Sequence, residues 1–184
     1  MSIKGLEQAI ANLNSISTTA VPRASAQAVN RVATRAVNKS VSVVSKDTRV
    51  PRKLVKQRAR VRRATVKKPR ALIRVNRGNL PAIKLGTASV RLSRRKRDRR
   101  GANSVLRIGP FRFPGAFIQQ LKNGRWHDMR RTAKPRYPIE VVSIPLAVPL
   151  TTAFKDELPK LMENDMPKEL RASLKNQLRL ILKR

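Results

Sequence analysis

The residues able to support proton or metal chemistry in this chain are few. His127 and Asp128 are adjacent, next to Trp126, and form the one place where an imidazole and a carboxylate meet in the sequence. Neighbouring residues on an extended segment point to opposite faces, so this pair does not offer a base and its orienting carboxylate to one substrate. No GxSxG elbow or other nucleophile setting accompanies it. A Trp-His pair closing a turn, part buried and part exposed, is the preferred reading. A single histidine and no cysteine exclude disulfides, thiolate ligands and every metal site that needs two imidazoles. The glycines Gly5, Gly78, Gly86, Gly101, Gly109, Gly115 and Gly124 are scattered and build neither a phosphate-cradling loop nor a dinucleotide fingerprint. Glu157, Glu163 and Asp165 stand among Lys155, Lys160 and Lys168 and read as solvated helix faces without a metal. No catalytic residue, metal site or cofactor is expected, and the chain reads as a non-enzyme.

The abundant chemistry is cationic. The 184 residues hold 43 Lys and Arg against 10 Asp and Glu, a net charge of +33. The net charge is +4 over residues 1–48, +20 over 49–100, +7 over 101–137 and +2 over 138–184. A segment with one acid in 52 residues repels itself and calls for water, a polyanion or an acidic partner surface. The candidate contact residues are Arg58, Arg60, Arg62, Arg63, Lys67 and Lys68, and the block Arg94, Arg95, Lys96, Arg97, Arg99 and Arg100. That block contains no apolar residue, cannot bury itself, and is expected as an exposed basic loop or arm. Arg and Lys neutralise phosphates without reading sequence, and the release of counterions makes such binding steeply salt-dependent. Residues 1–110 contain no Phe, Tyr or Trp, so base stacking is not the mode of contact. No zinc-finger spacing is present. Two partners fit: the backbone of duplex DNA, and an acidic protein ring.

The pattern of apolar residues places these cations on elements. Leu6, Ala9, Ile10 and Leu13 recur at helical spacing over residues 3–16, followed by a break at Ser15, Ser17, Thr18 and Thr19. Ala28, Val29, Val32, Ala33, Ala36, Val37, Val41 and Val44 define a long, narrow-faced helix over 20–47. Its small residues bury little area, so part of its stability must come from other subunits or from folding back on the sheet. Pro51 opens a short helix, and RVRRATVKK is ambiguous between helix and strand. Alternation at 71–75, 82–86 and 89–93 predicts strands, the second and third as a hairpin. Residues 104–109 resume the strand pattern, and GAFIQQLKNGRWHDMRR reads as two strands about an Asn123-Gly124 turn. A last extended run covers 137–146. A helix with Ala153, Phe154, Leu158 and Leu161 follows, and Pro167 starts the final one, whose face of Leu170, Leu174, Leu178 and Ile181 is the candidate subunit or tail interface.

Strands and helices are thus segregated, which predicts an α+β fold: N-terminal helices including one long helix, a central antiparallel β-sheet with the extended basic loop, and C-terminal helices. One domain over 1–184 is expected, divided into a helical part at 1–48, a basic β-rich part at 49–137, and the last strand with the C-terminal helices at 138–184. All six aromatic residues lie between Phe111 and Phe154, so the better core is expected in the second half. The most apolar run, Ile144 to Leu150, is interrupted by Pro145 and Pro149. It falls far short of the ~20 residues that cross a bilayer. The Met1 start lacks a signal-peptide core, and a soluble intracellular protein without membrane contact is expected.

Longer strings carry more than composition does. IKGLEQAIANLNSIS, TAVPRASAQAVNRVA, PRKLVKQRARVRRATVKKP, VNRGNLPAIKLG, PGAFIQQLKNGRWH, RYPIEVVSIPLAVPLTTAF, PKEL and the terminal LKR resemble the minor tail protein Z family of lambda-type long-tailed bacteriophages. The resemblance covers nearly the whole chain. It implies a non-enzymatic virion protein, a tail completion factor at the head-proximal end of the tail, needed for productive head-tail joining and for placing the DNA end in the neck or tail channel. It implies a homo-hexameric ring, with tail terminator and head-completion or connector proteins as neighbours, non-specific contact with genomic DNA, and assembly in the host cytoplasm. Composition alone favours a different class, a nucleic-acid-binding protein of ribosomal or nucleoid type. The strings reverse that order, because they specify a family while the charge specifies only a polyanion.

Overall fold

The computed structural model describes residues 4–91, 104–132 and 138–182. Helix α1 (Lys4–Ser15) runs through a π-helical turn (Ile16–Ala20) into α2 (Val21–Thr48), followed by α3 (Arg52–Lys56). The strands are β1 (Ala59–Arg62), β2 (Leu72–Val75), β3 (Leu80–Pro81), β4 (Ala88–Arg91), β5 (Val105–Ile108), β6 (Phe111–Pro114), β7 (Ala116–Gln120), β8 (Trp126–Arg131), β9 (Ile139–Val141) and β10 (Ser143–Ile144). The helices α4 (Ala147–Asn164) and α5 (Met166–Leu182) close the order. The α+β class holds, and every strand pair is antiparallel. The strands are divided among small sheets, ordered β1-β2, β10-β3, β4-β5-β6 and β7-β8-β9. The basic block at 94–100 lies outside the described residues.

Two compact units result, each assembled from segments distant in sequence. The first takes Met1–Val43, Ala59–Val75 and Leu150–Arg184; the second takes Val44–Arg58 and Asn76–Pro149.

In the first unit the Ala/Val stripe of α2 is buried as its spacing predicts, with Ala28, Val32, Ala36 and Val41 at 0–1% exposure. Val32 and Ala36 pack with Leu161 of α4, and with Ile73 and Met166 at the edge of that cluster. On the flank of the stripe, Arg31, Arg35 and Lys39 follow one another at four-residue steps, which puts them on one face. They meet carboxylates of the C-terminal helices: Arg31 donates to Glu169 at 3.0 Å, Arg35 to Asp165 at 3.1 Å and also to Glu169, and Lys39 lies 2.6 Å from Glu157. Glu157 and Asp165 are therefore not the solvated residues their lysine neighbours imply. Lys160 reaches Glu157 only at 3.6 Å, and of the three carboxylates read as solvated only Glu163 is exposed.

The expected break after α1 does not occur. Thr18 turns its hydroxyl back to the carbonyl of Asn14 at 2.6 Å, a bond that a helix interior accommodates. Pro22 has no N–H to return, and the wider π turn lies where that helical bond is missing. Ile10 and Leu13 of α1 stay 50% and 65% exposed, so this helix shows its apolar face to solvent.

In the second unit Arg49, at φ 57, reverses the chain after α2, and Ser45 donates to the carbonyl of Val50 at 2.7 Å. The core is Ala82, Leu106, Ile108, Ala116 and Val142, with Phe113 and Ile118 packed on it. The strand expected at 82–86 is instead a 3-10 turn (Ala82–Leu85) ended by Gly86 at φ 136. The hairpin expected between that segment and 89–93 is replaced by pairing of β4 with β5, where Ala88 faces Ile108. Pro81 accounts for part of this, since it supplies no ladder donor and the strand before the turn shrinks to two residues. Strand β6 does not follow from a segment bounded by prolines; Pro114 is tolerated because β6 is an edge strand. The Asn123-Gly124 turn forms as predicted, with Gly124 at φ 75. Residues 137–146 do not continue as one strand. Val142 separates β9 from β10, its N–H donating to the Asp128 carbonyl at 2.8 Å and its carbonyl accepting from Ala82 at 2.9 Å.

The α2 ladder sets a pH response. The hydrogen bond from Arg31, then the nearby Arg35 charge, holds the Glu169 carboxyl below its ordinary value of 4.5, against the opposing effect of burial. A carboxyl lowered in the native state stabilises fully above its unfolded value, and that stabilisation is lost as pH falls through the native one. Glu169→Gln is expected to lower the thermal unfolding midpoint at pH 7. The gap from wild type should close as pH drops below 4.5, followed by circular dichroism melts over pH 2–7.

Candidate functional site

The first unit organises part of the predicted cationic set into one surface. In the β1-β2 ribbon Arg60 faces Arg74, Val61 faces Ile73 and Arg62 faces Leu72. Side chains alternate between faces, so Arg60, Arg62, Leu72 and Arg74 share the exposed face, while Ala59, Val61, Ile73 and Val75 turn inward. Two arginines directly opposite one another destabilise a ribbon unless an anion comes between them. The ribbon is held by Asn30 of α2, whose side-chain amide donates to the carbonyl of Ala64 at 2.9 Å and accepts from its N–H at 2.7 Å. One side chain thereby takes the place of a neighbouring strand at the end of β1.

Beyond Ala64, reciprocal backbone bonds between Thr65 and Lys68, at 2.9 and 3.1 Å, close a tight turn. Residues 65–70 are all exposed, which presents Lys67, Lys68 and Arg70 to solvent. Among the described residues no carboxylate pairs with Arg60, Arg62, Arg63, Lys67, Lys68, Arg70 or Arg74.

Other predicted contact residues are placed differently. Arg58 belongs to the second unit and donates to the carbonyl of Asn79 at 2.9 Å, so it fastens the 76–79 turn. Arg94, Arg95, Lys96, Arg97, Arg99 and Arg100 lie outside the described residues. Arg70 and Arg74 escaped the sequence reading. Arg74 belongs to a predicted strand, but its opposition to Arg60 depends on a register that no local pattern encodes.

The predicted apolar face of α5 is only partly covered within the chain. Leu170 is 40% exposed, and Leu174, Leu178 and Ile181 are half-buried. The buried line is the adjacent one, Glu169, Ser173 and Gln177, and α5 packs against α1 and the π turn. The leucine stripe thus remains available at the edge of the helix.

His127 and Asp128 lie on β8 opposite Gln119 and Ile118 of β7. Asp128 is fully buried, and neither of its carboxylate oxygens has a hydrogen-bond partner among the described residues. His127 is half-buried, and Trp126 is 56% exposed. Burial raises the Asp128 carboxyl above its ordinary value of 3.8, with the His127 charge acting in the opposite sense. Facing opposite sides of β8, His127 and Asp128 do not present one surface, as expected for neighbours on a strand. Among the described residues no group of His, Cys, Asp and Glu could hold a metal ion.

The family Prophage minor tail protein Z (GPZ) matches residues 3–184. The chain belongs to the minor tail protein Z family. It is 90% identical to "Tail completion protein" of Escherichia phage N15 over 184 residues, covering all of both chains. It is 59% identical to "Tail completion protein Z" of Escherichia phage lambda over 192 residues, again covering all of both. No solved structure matches. Membership of the minor tail protein Z family makes the chain a structural bacteriophage tail protein and a virion component. None of its described helices is long and apolar enough to cross a membrane.

The buried Asp128 is then a cost carried by the fold. A buried charged group without a partner costs about 1–3 kcal/mol or more. A native carboxyl with a raised value gains stability as pH falls and loses it as pH rises through that value. Asp128→Asn removes the charge but leaves a buried unpaired amide, so it is expected to stabilise the protein at pH 7 by less than the full ~1–3 kcal/mol. The benefit should vanish as pH approaches 3.8, measured by urea unfolding at several pH values.

Proposed function

We propose that this protein completes the head-proximal end of the tail, joins it productively to the head, and sits beside the DNA path so that the β1-β2 ribbon contacts the backbone of the genomic DNA. The observation that carries the reading is the Arg60–Arg74 pair, flanked by Arg62, on an exposed face with no carboxylate among the described residues to neutralise it. Phosphates resolve that repulsion without any demand for base stacking or groove readout. The names of the phage N15 and phage lambda relatives support completion of the tail as the setting.

A homo-hexameric ring in the neck or upper tail is the assembly proposed, with tail terminator and head-completion or connector proteins as its neighbours and the host cytoplasm as the place of assembly. Two apolar surfaces support a subunit or tail interface: Ile10 and Leu13 on α1, and the stripe of Leu170, Leu174, Leu178 and Ile181 on α5. The net charge of +33 supports placement next to a polyanion.

The triple variant Arg60→Ser, Arg62→Ser, Arg74→Ser tests the DNA contact. All three side chains are exposed, so the fold is expected to survive. Binding to unrelated duplexes of equal length should be equal in wild type and fall steeply with salt. The log-log salt slope of the variant should be shallower by about 2–3, at about 0.9 for each phosphate no longer neutralised. Complementation of a phage lacking this protein should give particles with a misplaced or leaking DNA end. An unchanged slope with full infectivity would overturn the proposal.

The interface has its own test. Burial of one leucine is worth roughly 1.5–3 kcal/mol, so a charge at the centre of the α5 stripe forfeits that and adds a desolvation cost. Leu174→Asp is expected to yield tails that lack this protein, read by immunoblot of purified tails.

A further inference from the structure

An apolar groove of about 590 Å³ lies within the first unit, walled by Val29, Val32 and Ala33 of α2, by residues 69–73 and Val75, and by Phe154, Leu158 and Met162 of α4. Its rim is open: Leu72, Leu158 and Met162 are 38%, 37% and 46% exposed. The charged residues lining it are Arg70 and Lys155, both cations. A second depression adjoins it, lined by Arg62, Arg63, Thr65, Lys67, Lys68, Pro69, Arg70 and Leu72, and the two share Pro69, Arg70 and Leu72. Apolar walls therefore run directly into a cluster of five cations.

We propose that this groove is the docking site for a neighbouring virion protein, which inserts a segment with large apolar anchors followed closely by carboxylates. The inference rests on the function proposed above and names the kind of partner surface that fixes the chain to the tail or neck. Charge complementarity selects the occupant. A duplex backbone satisfies the cations but has nothing to place in an apolar slot, and burying phosphates there is penalised. A second copy of this chain is also a poor occupant. It brings the same net charge of +33 to a site already lined by cations, and of its 10 acids Glu157, Asp165 and Glu169 are engaged in ion pairs and Asp128 is buried. An amphipathic segment uses both halves of the site, the apolar part for affinity and the charged part for register and encounter rate.

The direct test replaces Met162, exposed on the groove rim, by the photocrosslinking residue p-benzoylphenylalanine in the full-length protein, and irradiates purified tails and purified phage. The expected result is an adduct to a different virion protein, mapped by mass spectrometry to a segment with carboxylates within about one helical turn (~3.6 residues) of large apolar residues. An adduct to another copy of this chain or to DNA, an adduct on a segment without carboxylates, or no adduct would each overturn the inference.

A second measurement uses the pair Leu158→Ser, Met162→Ser and, separately, the set Lys67→Glu, Lys68→Glu, Arg70→Glu. Both are expected to lower retention on tails at least tenfold, and the serine pair should leave duplex affinity within twofold of wild type. Wild-type retention by both variants would overturn the groove. Failure of the wild-type protein to associate with tails at all would instead overturn the proposed function, so the two failures are distinguishable.

Discussion

With 43 cations and 10 carboxylates, this chain cannot neutralise itself, and where the few acids stand decides what the remaining cations are free to do. Three are committed to one task. Glu157, Asp165 and Glu169 meet Lys39, Arg35 and Arg31 along one face of α2 and tie the first unit's longest helix to α4 and α5. The carboxylates are largely shielded, Glu157 and Glu169 being 14% and 11% exposed, while their cationic partners stay about half open to water. That geometry keeps the desolvation cost on the cationic side small. Among the described residues no ion pair joins an acid to the ribbon, where Arg60 and Arg74 stand opposite one another.

The ladder is needed because α2 is lined with alanine and valine. Ala24, Ala28, Ala36 and Val41 are buried completely, but each contributes little apolar area, so close approach and polar fastening replace bulk. Asn30 shows the same economy. By bonding both the N–H and the C=O of Ala64 it supplies an ordered edge to β1, and it fixes which face of the ribbon points outward. A slip of one residue there would turn Arg60 and Arg62 toward the interior.

What could be read in advance followed from local pattern. The stripe on α2, the Pro51 start of α3, the Asn123-Gly124 turn and the leucine line on α5 are all encoded within a few residues of one another, and all were legible. The 3-10 turn at 82–85 was not, because its apolar residues alternate as in a strand while Pro81 and Gly86 remove the ladder on either side. The burial of Asp128 and the partners of Glu157 and Glu169 were equally hidden. Arg31 and Glu169 are 138 residues apart, and no periodicity reports a contact of that kind. Of the cationic surface, the residue types were visible and the register that sets Arg60 against Arg74 was not.

Leu13, Val148 and Leu180 are 65%, 72% and 51% exposed, in a molecule whose aromatic content is 3%. Scattered apolar exposure is ordinary on a monomer. Its coincidence with a partly covered leucine stripe and unneutralised arginines is not, because each of these costs stability in isolation and each is relieved by a different neighbour. Apolar faces are relieved by protein, and paired arginines by anions. Under the function proposed above both are supplied at once, so surfaces that are liabilities in the free chain would become the terms that favour assembly. On that proposal a subunit whose apolar faces are only partly covered within its own chain gains most on taking its place in the particle.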